Sequence, residues 1–344
     1  MCNWLAGLEA GSRCPDHPAS GSKGAVRPFL YAITSVRALS TFVDVVCRSL
    51  ETGSIAAVYQ LESRADTVLT LTSPATAAGT AYLKFALGHD SQTILERSFA
   101  TSPLKVFATK GGGTACWAYA ATLGGGLVGG DAIRMNVEVG EGARALLTTQ
   151  ASTKVYRSRR PSTQRVTATV GQGGFLAVVP DPIVCFAAAD FAQTQHYELH
   201  ADASLVLVDW ITSGRHAFGE RWAFSRYHSR LTINRDGQPV LCDAVLLEDD
   251  LDSILERMHR FEVLLTVVLT GPLVSKAAAA IFDDAAQRPA GRNANLILSA
   301  SRIADGGVLL RMAGASVEHV GRTLRDSLRD LYPLLGDDPW SRKW

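Results

Sequence analysis

Residues 121–131 read ATLGGGLVGGD, with five glycines in the seven positions from Gly124 to Gly130. Gly124 to Gly129 satisfies G-x-G-x-x-G, the pattern of a dinucleotide-binding turn. That fingerprint needs a strand before the glycines and a helix after them, whose N-terminus faces the pyrophosphate. Here Ile133, Met135, Val137 and Val139 alternate with Arg134, Asn136 and Glu138, which is the period of a strand. An acidic ribose ligand is due roughly 20 residues beyond the glycines, yet Ala143 to Tyr156 holds no Asp or Glu. No Gly-Lys-Ser or Gly-Lys-Thr follows to make a P-loop. The stretch therefore reads as a glycine-rich turn between two strands. Glycine permits positive φ and close backbone approach, and Asp131 is placed to cap exposed N–H groups. An enzyme that binds a phosphorylated ligand at the turn 124–130 is the alternative reading.

Outward from the turn the period stays close to two. Residues 165–170, 175–179 and 205–210 read as strands, as do runs over 221–234 and 239–247. Val139-Gly-Glu-Gly142, Gly171-Gln-Gly-Gly174 and Arg235-Asp-Gly237 separate them at short intervals. Such spacing predicts an extended all-β body rather than βαβ units. The last hundred residues differ. Phe261 to Thr270 is an apolar, β-rich run, and Leu273 to Gln287 reads as a helix. Residues 295–303 and 308–312 read as a hairpin around Asp305-Gly-Gly307. Val317, Val320, Leu324, Leu328 and Leu331 give helical spacing over 317–335.

On the N-terminal side, residues 71–80 are linker-like, and the main domain is expected over 81–344. Residues 1–80 are expected to be a flexible or poorly ordered extension. Within it, 1–28 mix Gly, Ser, Pro, Asp and Arg unlike a secretory signal, and 32–50 carry the spacing of a short amphipathic helix. The run from Phe29 to Val46 is broken by Arg37 and Asp44, short of the roughly 18 to 20 apolar residues that a membrane span needs.

The chain has 344 residues, 47% hydrophobic and 19% charged, with a formal net charge of +1. That is a soluble globular composition with no general basic excess to hold nucleic acid. Six cysteines, at 2, 14, 47, 116, 185 and 242, form no C-x-x-C pair. They read as reduced thiols of a cytoplasmic protein.

GGGLVGGD, followed by Ala145-Leu-Leu-Thr-Thr-Gln-Ala-Ser-Thr-Lys-Val-Tyr-Arg-Ser158, resembles the paired motif of the urease accessory protein family UreD, also called UreH. Val179-Pro-Asp-Pro-Ile183, Val208-Asp-Trp210, Gly214-Arg215 with Gly219-Glu220, and Asn234-Arg-Asp-Gly237 fit the same family. The resemblance spans roughly 81–344. It implies a mainly β fold, an elongated β-helix-like stack of strands, with a smaller α+β part and two principal helices toward the C-terminus.

It also implies a non-catalytic chaperone of nickel insertion. Such a protein binds apo-urease and a UreF-type partner, and through that partner the GTPase UreG. It has no tightly bound cofactor, only transient Ni(II), and no nucleic-acid or membrane partner. Nucleotide hydrolysis then belongs to the GTPase, in line with the missing P-loop. An exposed apolar surface is expected where partners dock. Gly124, Gly125, Gly126, Gly129 and Gly130 would shape the turn beside Asp131. Thr148, Thr149, Lys154, Tyr156 and Arg157 would support it and present polar groups to a cavity or partner. Pro180, Trp210, Gly214, Arg215, Gly219 and Glu220 complete the motif positions. Oxygen ligands hold Ni(II) more loosely than imidazole or thiolate, which suits transit. The candidates for such a path are Asp131, Asp181, Asp209 and Glu220.

Two other constellations carry less. His196, Glu198 and His200 lie on one side of a strand, but at about 3.3 Å per residue the two histidines are roughly 13 Å apart. They read as a solvated face. Ser152, Thr153 and Lys154 invite a nucleophile-and-base reading, yet no G-x-S-x-G elbow surrounds the serine.

Overall fold

The computed structural model describes residues 78–110, 113–249, 253–288, 291 and 293–341. The expected lead over 1–28 and helix over 32–50 lie outside the described residues. The first strand, β1, covers Thr80–Leu87 and takes in the last residue of the expected linker.

The chain then winds between two facing sheets. Strands β1 (Thr80–Leu87), β5 (Ala132–Val139), β8 (Ser162–Val170), β11 (Asp190–Leu199) and β13 (Arg226–Arg235) pair in parallel in a seven-stranded sheet. Strands β4 (Cys116–Thr122), β6 (Arg144–Thr149), β9 (Phe175–Val178) and β12 (Ser204–Thr212) pair in parallel in a ten-stranded sheet. A parallel pair needs a crossover of a dozen or more residues, usually a helix. Here the strand contributed to the opposite sheet serves as the crossover, so the result is a β-helix-like stack of coils. A short third face joins β7 (Thr153–Val155) to β10 (Ile183–Cys185), which reaches β12.

Antiparallel strands end the sheets: β2 (Thr93–Ala100) and β14 (Gln238–Glu248) in the first, β3 (Leu104–Lys110) in the second. At its other end the second sheet continues through β15 (Val263–Thr270), β17 (Val308–Gly314) and β16 (Leu296–Arg302). The expected hairpin is the β16–β17 pair. The strand expected from 221 starts only at Arg226. Trp222 interrupts it in a left-handed conformation, φ 50°, and its indole N–H donates to the Phe261 carbonyl at 2.8 Å.

Leu83, Phe85, Met135, Val137, Val166, Phe191, Tyr197 and Leu207 fill the space between the sheets. A second core covers the outer face of the ten-stranded sheet. There Trp117, Val206, Val208, Trp210, Val267 and Leu310 meet two helices, α2 (Ser275–Gln287) and α3 (Val317–Leu328); a shorter one, α1 (Ile254–Met258), precedes them. Ala277, Ala278, Ile281 and Ala285 give α2 a small-residue face against the sheet, and Val320, Leu324 and Leu328 give α3 its apolar stripe. Helical spacing to Leu335 predicts one continuous element, but α3 stops at Leu328. A 3-10 turn, Arg329–Leu331, and a four-residue helix α4, Tyr332–Leu335, follow. Pro333 lacks an N–H and its ring clashes with the carbonyl four residues earlier, so the longer helix cannot run through it.

Candidate functional site

The glycine turn joins β4 to β5 and ends in a strand, not a helix. Leu127 forms an isolated parallel bridge with Val155 of β7. Its N–H donates to the Lys154 carbonyl at 2.8 Å, and the Tyr156 N–H donates to the Leu127 carbonyl at 2.9 Å. Close approach explains the glycines. A Cβ on Gly126 would sit 2.6 Å from the Lys154 carbonyl oxygen and 2.7 Å from the Tyr156 ring. One on Gly129 would lie 2.4 Å from Ser158 Cβ. Gly124, Gly125 and Gly130 have positive φ. Asp131 closes the turn by accepting from the Val128 N–H at 2.9 Å.

The same corner gathers distant motif residues. The Tyr156 ring meets Phe186 edge-on at 4.9 Å. The Arg215 guanidinium lies 4.3 Å from the Phe186 ring and 5.0 Å from the Phe218 ring, within cation–π range of both. Gly214 and Gly219 flank the 3-10 turn His216–Phe218. Arg215 pairs with Glu220, which also accepts from the Ala187 N–H at 3.1 Å. The bond from Arg215 is the largest influence and holds the Glu220 carboxyl below its ordinary pKa; burial opposes it, and the Ala187 bond adds a lesser lowering.

Thr148 and Thr149 do not support the glycine turn as expected. Their hydroxyls belong to a latch on the 179–182 loop. Thr148 donates to the Val179 carbonyl at 2.6 Å, while Thr149 donates to Asp181 at 3.0 Å and accepts from the Asp181 N–H at 2.7 Å. Trp210 closes the latch through its indole N–H to the Pro180 carbonyl at 2.9 Å. Thr149 shares the inward phase of Ala145 and Leu147 and Thr148 the outward phase of Leu146, and sequence spacing alone does not distinguish either from a turn-supporting residue.

Asp209 stands apart from the other candidate acids. On β12 it takes the inward phase of Leu207 and Ile211, so it faces the inside of the coil. Both its oxygens accept from Gln193 Nε2 at 2.8 Å, and Ser229 Oγ donates to it at 2.8 Å. Tyr227 and Ser229 also lie within hydrogen-bond reach of the Gln193 amide, at 3.1 and 2.9 Å. Burial is the largest influence on Asp209 and outweighs these bonds, pushing its carboxyl above the ordinary value. Even so the residue is only partly buried. Along the second sheet Asp209 is in register with Thr266, Thr266 with Arg311 and Arg311 with Ser299. Arg311 pairs with Asp243 of β14, whose carboxyl burial also pushes up. A polar ring thus crosses a largely apolar interior.

Gln193, Tyr227 and Ser229 escaped the sequence reading. Their signal is polarity at inward positions: Gln193 follows Phe191 by two residues, and Ser229 lies between Tyr227 and Leu231. His196 and Glu198 face outward on β11, 3.9 Å apart, with Asn234 donating to Glu198 at 3.0 Å. His200 lies beyond the strand beside Asp202. Thr153 and Lys154 form part of β7, where Lys154 is exposed. Among the described residues no group of three or more His, Cys, Asp and Glu side chains could hold a metal ion, and no helix is long and apolar enough to cross a membrane.

Fold and site define a coiled, two-sheet β scaffold with one helix-covered face, a glycine-built corner and a polar ring inside. The chain belongs to the UreD family: the sequence pattern described as UreD urease accessory protein matches residues 77–344. It is 50% identical over 253 residues to the urease accessory protein UreD of Sorangium cellulosum, covering 74% of this chain and 80% of the relative. It is 42% identical to the protein of that name from an Anaeromyxobacter strain, over 74% and 86% of the two chains. Urease accessory protein D of Oryza sativa subsp. japonica is 36% identical, over 78% and 96%.

Proposed function

We propose that the protein is a non-catalytic scaffold of urease maturation in the cytoplasm. It binds apo-urease and a UreF-type partner, gathers a nickel-carrying UreG-type GTPase through that partner, and helps pass Ni(II) to the urease active site. The observation that carries the nickel part of this reading is the polar ring around Asp209 inside the coil. A carboxylate whose burial outweighs its hydrogen bonds is an under-compensated anion. A passing cation supplies the missing compensation. The oxygen groups at the ring, Asp209, Ser229 and Tyr227, are ligands that exchange Ni(II) readily. Asp131, Asp181 and Glu220 are engaged in the turn, the latch and the Arg215 pair, so their contribution to a nickel path is through the fold that holds Asp209.

Co-expression of the full chain with the UreF-type protein from the same source, read by size-exclusion chromatography with light scattering, tests the scaffold. A co-eluting complex of defined mass is expected, and addition of the GTPase and apo-urease should enlarge it. Separate elution of two folded, monodisperse proteins would contradict the proposal.

A further inference from the structure

The helices α2 and α3 cover the apolar outer face of the ten-stranded sheet, so that face is closed to partners. Large apolar side chains are exposed instead at the glycine corner: Phe218 at 75% and Val128 at 55%. Beside them Lys154, Arg157, Arg159 and Arg160 are exposed, and no carboxylate pairs with any of them among the described residues. Four cations within seven residues repel one another, and an anionic partner relieves that repulsion.

The segments of the corner also touch one another. The Leu127–Val155 bridge ties turn to strand, Gly126 and Gly129 leave no gap between them, and Arg215 clamps Phe218 toward Phe186. An aromatic and an arginine side by side, rimmed by charge, is the composition of an interface centre. The net charge of +1 and the apolar Val128 favour a protein over a nucleic acid.

We infer that the corner formed by the glycine turn, residues 154–160 and the Arg215–Phe218 turn docks an acidic protein segment that carries a bulky apolar side chain. The cations draw the segment in and set its register, and the side chain packs on the exposed Phe218. This inference rests on the assembly reading and assigns it a surface. Charge steering of this kind is screened by salt.

The test measures affinity of the full chain for the UreF-type protein and for apo-urease, each alone, at low and at physiological salt. Two variants accompany the wild type: the double reversal Arg157→Glu with Arg160→Glu, and Phe218→Ser. All sites are exposed, and a thermal melt verifies folding. The wild type is expected to bind at least one partner more weakly at the higher salt. The double reversal should lose about tenfold or more in affinity for that partner and most of its salt dependence. Phe218→Ser should lose about tenfold with the salt dependence intact. Wild-type affinity and salt dependence in both variants would overturn the inference and leave the scaffold standing. A wild-type chain that binds neither protein overturns both. A duplex oligonucleotide that binds wild type but not the double reversal, with partner affinities unchanged, would assign the corner to nucleic acid and overturn it. A change in the chain's own oligomeric state on charge reversal, with partner affinities unchanged, would put a second copy there and overturn it as well.

Discussion

Strands β5, β8 and β11 of the seven-stranded sheet bury every second side chain, the half-buried Gln164 of β8 excepted, and leave most of the others in contact with water. Strands β12 and β15 of the ten-stranded sheet, wound by the same chain, bury almost every residue. Parallel sheets are normally covered on both faces. The ten-stranded sheet obeys this because α2 and α3 pack on it, whereas the seven-stranded sheet keeps one wet face lined by residues such as Arg134, Asn136, Arg165 and Thr169. In the dry sheet the exceptions are informative. Asp209, Thr266, Arg311 and Ser299 are its partly buried polar row, and they face the interior. Polarity is ordinary on the wet sheet. On the dry one the inward-facing, partly buried row across β12, β15, β17 and β16 marks the polar ring.

The largest expected effect separates the two faces directly. Trp117 is fully buried on the covered side, and its indole N–H donates to the Leu335 carbonyl at 2.9 Å. Trp117→Ala should cost about 3–5 kcal/mol. Asn136→Ala on the wet sheet should stay within about 0.5 kcal/mol. Chemical denaturation of the two variants reads both, and equal costs would break the contrast.

Gly129→Val comes next. The added side chain must displace Ser158, and overpacking of this kind costs about 1–3 kcal/mol. The thermal midpoint should fall, and urease activation with it. Full activation by this variant would remove the claim that the glycines are required by the turn.

Asp209→Ala strips the acceptor from Gln193 and Ser229 and should cost about 1–3 kcal/mol. Asp209→Asn keeps the shape and should cost less, and a denaturation series ranks the two.

The smallest effects concern pH, and they have opposite signs at the ring and at the corner. Asp209 has a raised folded-state pKa, so the folded state binds the extra proton. Its contribution is full below the unfolded value of about 3.9 and is lost as pH rises through the folded value. Glu220 has a lowered one, so its contribution is present above about 4.3 and is lost as pH falls through the folded value. Stability measured against pH should therefore lose its alkaline-going decline in Asp209→Asn and part of its acid-side loss in Glu220→Gln. The same profile in both variants would merge the two sites.

Much of this was legible in the sequence because a period of two leaves a trace wherever one face is wet. The alternation of β5 survives intact, and it ruled out a nucleotide-binding helix after the glycines. The apolar run of β15 also reads as a strand. The three-residue strands β7 and β10 are too short to show any period. Edge strand β2 is exposed over most of its length, so nothing alternates. At the site, the motif residues were found, but their grouping was not. Thr148 and Thr149 join the 179–182 loop through the pairing of β6 and β9, a contact between coils that spacing does not encode. Asp209 looked like Asp131 and Asp181 because an acid beside a strand end or turn is common. Only the register of β12 shows which way it faces.

The central claim is that the ring around Asp209 guides nickel within an assembled scaffold. Its most direct test is the nickel content of urease matured with the Asp209→Asn protein, beside light scattering of the complex with its partners. The account predicts an intact complex and urease with several-fold less nickel than the wild type delivers. An intact complex that yields fully loaded urease would contradict it.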